Sequence, residues 1–409
     1  MAGQGRGARR RAAACLLTAL LVLAGCAAPE PADPAPQEIG ALLDRHARAL
    51  LARDEAAYAV ALDPAYAPAA IAEFDRLAEV PLASWDYRLK AVERQGGDRE
   101  GGGRATARAE LSYRIDGYDS GPVTTERVLD LTERDGRWYV TGDRPAEGAT
   151  QQLWQQGDVE TVRGRRSLVL GVGQSEERLK TIAAYADRAV PAVSAAWPED
   201  WARRVVVIVP ATLDGMGGLL GAPAASYRGI AAVTTGEVGG GPDAPADRVI
   251  VNPEAYGVLG EFGQQVVLTH ETTHVATRAA TSAATPVWLS EGFADWVAYR
   301  ETGRTAAQAA PELRRAVRAG DLPAALPDDK AFSFGGDADA LARAYEGGWL
   351  ACAMIAERWG EPELRAFYRA VGTHPQRDGA VEKALAEVLG TTPVEFTDDW
   401  RQYLRQRLA

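Results

Sequence analysis

The sequence contains little cysteine. Three cysteines occur in 409 residues, and two of them, Cys15 and Cys26, lie in the first 26 positions. The third, Cys352, sits in the apolar run "WLACAMIAERW", where we expect it to be a buried small hydrophobic residue. A single thiol beyond the N-terminal segment cannot form an internal disulfide, so the sequence excludes a fold built on a disulfide framework.

Positive charge is also scarce. The chain has 45 Lys and Arg against 56 Asp and Glu, a formal net charge of −11. A broad nucleic-acid surface would need clustered Lys and Arg, so we expect no nucleic-acid partner. The hydrophobic fraction of 46% is typical of a folded globular protein. A chain of 409 residues is too long for one ordinary core, which predicts two domains.

The first 38 residues are typical of a targeting segment followed by a tether. Basic residues 6–11 precede the apolar stretch 12–24, which is too short to span a bilayer comfortably as a helix. The stretch ends in "LAGC", which resembles a bacterial lipobox, and this resemblance implies a signal peptide over 1–25 and a lipid on Cys26. Residues 26–38 are Pro- and Ala-rich and predict a tether. We therefore expect an extracytoplasmic protein anchored by lipid to the outer face of a bacterial membrane; a plain secretory signal is the alternative.

Residues 39–148 predict an α+β domain. Residues 39–62 and roughly 65–80 have helical spacing, and His46 on the first helix is expected to be solvated. Four strand-like stretches separated by turn clusters follow, and the last is "DGRWYVTGD". This order of elements resembles the cone-shaped nuclear-transport-factor-like fold, in which helices pack on a curved sheet. The region shows no set of residues typical of catalysis, so we expect an autonomously folding spacer or partner-docking module.

Residues 155–409 predict a second α+β unit. Stretches 165–173 and 203–210 read as strands on either side of a long helix, with Ser175 as its N-cap and Pro191 as a kink or end. Two shorter strand-like stretches follow, and from residue 260 onward the pattern is almost entirely helical. The last helix should begin at a capping box of Thr392 and Glu395.

The stretch "LTHETTHVAT" (268–277) holds two of the chain's four histidines. On a helix, His270 and His274 project from the same face, one turn apart, and can bind one metal ion. Glu271 leans toward the space beside that ion, where it can accept a proton from water. A catalytic zinc site needs three protein ligands and an open position, so the pattern predicts a third ligand elsewhere.

The segment "TPVWLSEGFADWVAY" (285–299) supplies that ligand. Thr285 as a cap and Pro286 in the first turn predict a second helix with Glu291 near its beginning. Asp295 follows one turn later, where it can accept the second N–H of a zinc-bound histidine. The apolar neighbours of Glu291 predict a helix that is packed on both sides.

"HETTH" followed by "WLSEGFADW" resembles the gluzincin metallopeptidases, particularly their aminopeptidase-like branch. The resemblance implies His270, His274 and Glu291 as ligands of one Zn²⁺ per chain and Glu271 as general base. It also implies a peptidase domain with a small mixed sheet, an active-site helix and a helical C-terminal part. "AYEGGWLACAMIAERWG" (344–360) resembles the family segment whose tyrosine stabilises the oxyanion, which points to Tyr345.

The sequence departs from the family pattern at two places that concern substrate specificity. The interval between His274 and Glu291 is slightly shorter than in the family's aminopeptidases. The Gly-x-Met-Glu-Asn element, whose glutamate binds the free amino group of a substrate in those enzymes, is missing. We therefore expect zinc-dependent hydrolysis of a peptide or protein substrate without a signal for aminopeptidase activity. The alternative is a non-hydrolytic lipoprotein that uses the peptidase fold as a binding or assembly module. His374 in "VGTHPQ" is a further candidate donor to the transition state, although a loop histidine is the simpler interpretation.

Overall fold

The computed structural model describes residues 33–95, 103–236, 243–333 and 336–409. The signal segment, Cys26 and most of the tether lie outside these residues. The chain has a mixed α+β fold, and residues Ala35–Ala409 form one compact unit. Within the described ranges, no helix has both the length and the apolar character needed to cross a bilayer.

The described elements form a first sheet, then a second sheet, and then a helical C-terminal part. The strands are β1 (Leu82–Gln95), β2 (Arg104–Ile115), β3 (Val123–Arg134), β4 (Arg137–Pro145), β5 (Val159–Arg163), β6 (Ser167–Val172), β7 (Val205–Val209), β8 (Ala232–Thr235) and β9 (Arg248–Val251). The helices are α1 (Ala35–Leu51), α2 (Glu55–Ala59), α3 (Ala67–Arg76), α4 (Glu176–Ala196), α5 (Leu213–Leu220), α6 (Pro253–Gly257), α7 (Glu261–Thr277), α8 (Val287–Tyr299), α9 (Ala306–Ala309), α10 (Pro311–Arg318), α11 (Ala338–Arg358), α12 (Glu361–Gly372), α13 (Ala380–Ala384) and α14 (Pro393–Leu408).

The first sheet is an antiparallel meander in the order β1-β2-β3-β4. Every second residue of β2 is buried, and these residues are Ala105, Ala107, Ala109, Leu111, Tyr113 and Ile115. This period of two gives the strand one packed face, as the alternation in the sequence predicts.

The helices before this sheet begin and end at other residues than predicted. Helix α1 starts at Ala35, inside the predicted tether. Pro36 is compatible with its first turn, because the N–H that proline lacks would have no helical partner there. The single helix predicted over 39–62 is two helices. Arg53 has a φ of 56°, outside the helical region, and the Asp54 side chain caps α2 by accepting the backbone N–H of Ala57.

The second sheet has the order β5-β6-β7-β9-β8. Strand β7 pairs in parallel with β6 and β9, while β5 and β8 are antiparallel edge strands. The sheet is buried on both faces: Leu168 and Leu170 of β6 pack into the core of the first sheet, whereas Val169 packs with α4. The outer side of edge strand β8 is free, since no described strand pairs with it.

The two sheets share one hydrophobic core. Trp154 packs against Trp85 and Tyr113 of the first sheet, at ring-centroid distances of 5.6 and 5.1 Å. The carboxylate of Asp119, after β2, is fully buried and receives two bonds of 2.8 Å from the Arg248 guanidinium of β9. Residues before and after position 150 therefore depend on each other for burial and for charge pairing, and the domain boundary near 150 stays a prediction.

The helical C-terminal part and two of the predicted helix caps are found in the structure. Ser175 caps α4 by accepting the N–H of Arg178, and Thr392 and Glu395 form the expected capping box of α14. Helix α4 does not end at Pro191 but continues to Ala196, so only the alternative of a kink at this proline stays open. Val190 and Val193 on either side of the proline are fully buried, and this packing holds the helix despite the missing hydrogen bond.

Candidate metal centre

Helix α7 presents both histidines of the HETTH stretch on one face. Three of its four threonines are satisfied within the helix, because the hydroxyl of each of these three donates to the carbonyl four residues earlier. Thr269 bonds to Gln265, Thr273 to Thr269 and Thr277 to Thr273, at 2.8–2.9 Å. These local bonds allow polar side chains to be buried in a helix interior. The helix can therefore lie deep in the protein while His270 and His274 keep their ring nitrogens for other partners.

Helix α8 supplies the two acids predicted on it. The predicted cap is corrected: Pro286 occupies the N-cap position, and the Thr285 hydroxyl instead accepts the backbone N–H of Ser282. The apolar neighbours of Glu291 are buried, as predicted; they are Trp288, Leu289, Phe293 and Trp296. With both flanks packed, the helix fixes the direction in which Glu291 and Asp295 point.

Three donor atoms from these helices form a small triangle. His270 Nε2 lies 3.0 Å from His274 Nε2 and 3.1 Å from Glu291 Oε2, and His274 Nε2 lies 3.4 Å from Glu291 Oε2. Two ligands at about 2.1 Å from a tetrahedral zinc ion are about 3.4 Å apart. Two imidazole nitrogens and one carboxylate oxygen are also donors that zinc accepts. The residues present therefore fit a zinc ion with one position left for water or substrate.

Asp295 lies behind the triangle, against His270. Its Oδ1 atom is 2.8 Å from His270 Nδ1, which leaves Nε2 directed at the other two donors. Burial by itself lowers the pKa of His270, but the carboxylates of Asp295 and Glu291 outweigh it and raise the pKa well above its usual value. Burial likewise opposes ionisation of Glu291, but the two adjacent imidazoles bring its pKa far below the usual range. The two acids and two histidines thus form one strongly coupled electrostatic group.

Glu271 is buried between α7 and the edge strand β8. The residue is 7% exposed, and its Oε2 accepts a hydrogen bond of 2.6 Å from the Thr234 hydroxyl. Nothing in the sequence indicates this contact, since a threonine within a short strand belongs to no motif.

Tyr345 reaches the same region from α11. Its ring centroid lies 6.5 Å from that of His270, and its ring packs edge-on against Phe332 at 5.1 Å. Burial, followed by the carboxylates of Glu291, Asp295 and Glu271, raises the pKa of the Tyr345 hydroxyl well above its usual value. The hydroxyl therefore stays protonated and can donate a hydrogen bond.

Two glycines bring α11 to this position. A Cβ atom on Gly348 would lie 2.6 Å from the carbonyl oxygen of Trp288, and one on Gly292 would lie 2.3 Å from the carbonyl oxygen of Gly348. Helices α8 and α11 therefore touch through their backbones. Because Tyr345 is three residues before Gly348, this close contact places its ring beside the donors carried by α7 and α8.

The remaining candidates lie apart from the triangle. His374 is in the loop after α12, where its Nδ1 is 2.6 Å from the backbone oxygen of Gln376. Cys352 is a free, fully buried thiol in α11, as predicted. Cys26 lies outside the described residues.

A second polar cluster is buried under the first sheet, where the sequence predicted no catalytic set. Arg127 donates to Asp143 at 2.8 Å, with its side chain 3% exposed. His46 is buried rather than solvated: its ring stacks on Tyr58 at 3.9 Å, and burial lowers its pKa to about 4. The cavity that these side chains line has a volume of about 10 Å³, which is room for one water molecule.

Comparison with known proteins adds no family assignment. Neither a scan against protein-family models nor a search of curated proteins finds a match to this chain.

Proposed function

We propose that this protein is a zinc-dependent peptidase. The observation that supports this proposal most strongly is the triangle of His270, His274 and Glu291 with Glu271 next to it on α7. A binding module has no use for a buried general base at a metal site, whereas hydrolysis requires one.

In this proposal His270, His274 and Glu291 hold one Zn²⁺ per chain. A bound zinc ion would act as a Lewis acid on the scissile carbonyl and make water acidic enough to attack near neutral pH. Glu271 takes the proton from the attacking water and returns it to the leaving amine nitrogen. Tyr345 donates a hydrogen bond to the oxyanion that develops on the carbonyl oxygen, an effect worth about 2–4 kcal/mol in comparable sites.

The free edge of β8 supports a peptide as substrate. Its N–H and C=O groups can pair with an extended chain, as edge strands commonly do. Thr234 of this strand touches Glu271, so a chain paired there would run next to the general base. The residues of β8 include no acid, which agrees with the lack of a signal for aminopeptidase activity.

For the whole chain we propose the arrangement expected from the sequence. A lipid on Cys26 attaches the protein to the outer face of a bacterial membrane, a nuclear-transport-factor-like domain covers 39–148, and a gluzincin peptidase domain covers 155–409. The meander with its preceding helices and the mixed sheet followed by helices support the two fold proposals.

The test of the proposed activity is the Glu271→Gln variant, assayed against a peptide library. We expect the wild-type protein to cleave at least one peptide, and the variant to keep its zinc and lose turnover. Full peptidase activity in the variant would end the assignment.

The rival proposal is a binding or assembly module that has kept the peptidase fold without hydrolysis. Metal analysis separates the two. About one zinc per chain that is lost in His270→Ala supports the enzyme, whereas metal-free protein from zinc-replete cells supports the module.

A further inference from the structure

We propose that Thr234 is a positioning residue, which fixes the carboxylate of Glu271 in the orientation needed for proton transfer. This inference rests on the proposed function, because it assigns Thr234 a task in the same hydrolytic site. Thr234 lies outside the sequence motifs that form the metal site.

The contact is short and involves the reacting group itself. The Thr234 hydroxyl lies 2.6 Å from Glu271 Oε2 and 3.1 Å from the Glu271 backbone oxygen. An O–H donor at about 2.5–2.7 Å from a carboxylate is in the range of charge-assisted hydrogen bonds, which are roughly twice as strong as neutral ones. The hydroxyl has one proton, and the carboxylate oxygen is its closer acceptor.

The position of Thr234 is set by the sheet rather than by the helix that it contacts. Thr234 pairs with Val249 of β9, so its backbone is held by the neighbouring strand of the sheet. The next residue, Thr235, belongs to the opposite face, and the Thr235 hydroxyl donates to the backbone oxygen of Arg248 at 3.3 Å. The two adjacent threonines therefore have different partners, and only Thr234 contacts the base.

This contact divides the two oxygens of Glu271 between two tasks. Oε2 is held by Thr234, and within the described part of the chain no hydrogen-bond donor contacts Oε1. Glu271 has three side-chain torsions between its backbone and its carboxylate. Helix α7 fixes the backbone end and Thr234 fixes the carboxylate end, so Oε1 is kept in one direction as the oxygen that can receive the proton. Without the hydroxyl, the carboxylate can rotate, and small misplacements of a catalytic group cost large factors in rate.

The test compares Thr234→Val, Thr234→Ser and Thr235→Val in the full chain. Valine keeps the shape and the strand preference of threonine but removes the hydroxyl, whereas serine keeps the hydroxyl. We expect Thr234→Val to lower kcat by about 10- to 100-fold with an unchanged KM. We expect the zinc content to stay at the wild-type value, since Thr234 is not a ligand. Thr234→Ser should restore most of the rate, and Thr235→Val should behave like wild type.

A crystal structure of Thr234→Val provides a readout besides activity. We expect the Glu271 carboxylate to be displaced or to occupy several rotamers, while the triangle of His270, His274 and Glu291 is unchanged. The inference is overturned by a Thr234→Val protein with wild-type kcat, by an equal loss in Thr234→Ser, or by an unmoved carboxylate in the variant structure. If the wild-type protein cleaves no peptide at all, the proposed function fails, and the position of Glu271 in the variant structure still decides whether Thr234 fixes it.

Discussion

Asp295 Oδ1 lies 2.8 Å from His270 Nδ1, one helical turn beyond Glu291 on the same helix. Helix α8 therefore carries both Glu291, a member of the triangle, and the carboxylate of Asp295, which orients His270, another member of the triangle. A carboxylate in this position fixes the ring and the tautomer of the histidine and makes Nε2 a better ligand.

Because of this contact, Asp295→Asn is expected to weaken zinc affinity about 10- to 100-fold without unfolding the protein. The measurement is a zinc titration against a competing chelator, with circular dichroism as the check on folding. Asp321→Asn is the control, since Asp321 is exposed and lies outside the site. Unchanged affinity in Asp295→Asn would show that the carboxylate does not act through His270.

Gly348→Ala is expected to destabilise the protein, because the added methyl group would meet the carbonyl oxygen of Trp288 at 2.6 Å. Overpacking of this kind costs about 1–3 kcal/mol. It should also lower kcat, since α11 carries Tyr345. The measurement is urea unfolding together with the peptidase rate.

Gly40→Ala is the matched control for this change. Gly40 also lies in a helix, α1, but a Cβ atom there would meet no side chain or neighbouring element within 4 Å. Here alanine should leave stability unchanged or increase it by up to about 1 kcal/mol. Equal effects of the two substitutions would contradict the close contact between α8 and α11.

Asp119→Ala is expected to be among the most destabilising single substitutions, because it removes the carboxylate that pairs with the buried Arg248 guanidinium and leaves that charge with only the backbone oxygen of Ala246 as an acceptor. Side-chain exposure is 0% for Asp119 and 10% for Arg248. Removing one member of a buried ion pair costs about 3–5 kcal/mol. Glu110→Ala is the control, since its partners Arg88 and Lys90 have side-chain exposures of 66% and 36%, and exposed pairs contribute about 1 kcal/mol or less each. Similar urea midpoints for the two variants would contradict this account.

The shared core also changes the expectation for a chain that covers only residues 150–409. Such a chain would lose Asp119 and the apolar partners of Trp154, Leu168 and Leu170. We therefore expect it to be unfolded or aggregated, whereas the sequence pattern favours an independent spacer as the first domain. A truncated protein with cooperative unfolding and normal zinc binding would support the spacer after all.

Glu346 predicts a pH dependence of stability. It accepts the backbone N–H groups of Glu312 and Leu313 at the start of α10, and burial raises its pKa to about 7. In the unfolded chain the pKa is about 4.3, so the folded protein holds this proton over a wider range. The stability that comes from the protonated form is complete below about pH 4.3 and is lost as the pH rises to about 7.

Glu346→Gln keeps the side-chain oxygen and removes the titration. The difference in unfolding temperature between this variant and the wild type should therefore grow in favour of the variant from about pH 4.3 to about pH 7 and stay constant above. A difference that does not vary with pH would contradict the raised pKa.

The parts of the fold that are predictable from sequence are those set by local patterns. The alternation in β2 and the capping box of Thr392 and Glu395 depend on neighbouring residues, and both appear as predicted. Helix α7 and helix α8 are predictable for the same reason, and with them the residues that form the triangle. The break at Arg53 is not, because it depends on a guanidinium bonded to the carbonyl oxygens of Leu77 and Val80, far along the chain.

Long-range contacts account for what the sequence does not show. The partner of Glu271 is Thr234, 37 positions earlier, and the partner of Arg248 is Asp119, 129 positions earlier. Neither pair has a characteristic spacing. The prediction of a solvated His46 was wrong because it relied on charged sequence neighbours, which occupy other faces of the helix, while the face of His46 itself is buried.

The dependence of the cleavage rate on zinc tests most directly whether the protein is a zinc-dependent peptidase. The protein is stripped of metal with a chelator, zinc is added back in steps, and the initial rate of peptide cleavage is measured at each step. We expect no cleavage by the stripped protein and a rate that rises in proportion to zinc, reaching its plateau at about one ion per chain. Cleavage that persists in the stripped protein, or no cleavage at any zinc concentration, would contradict the proposed function.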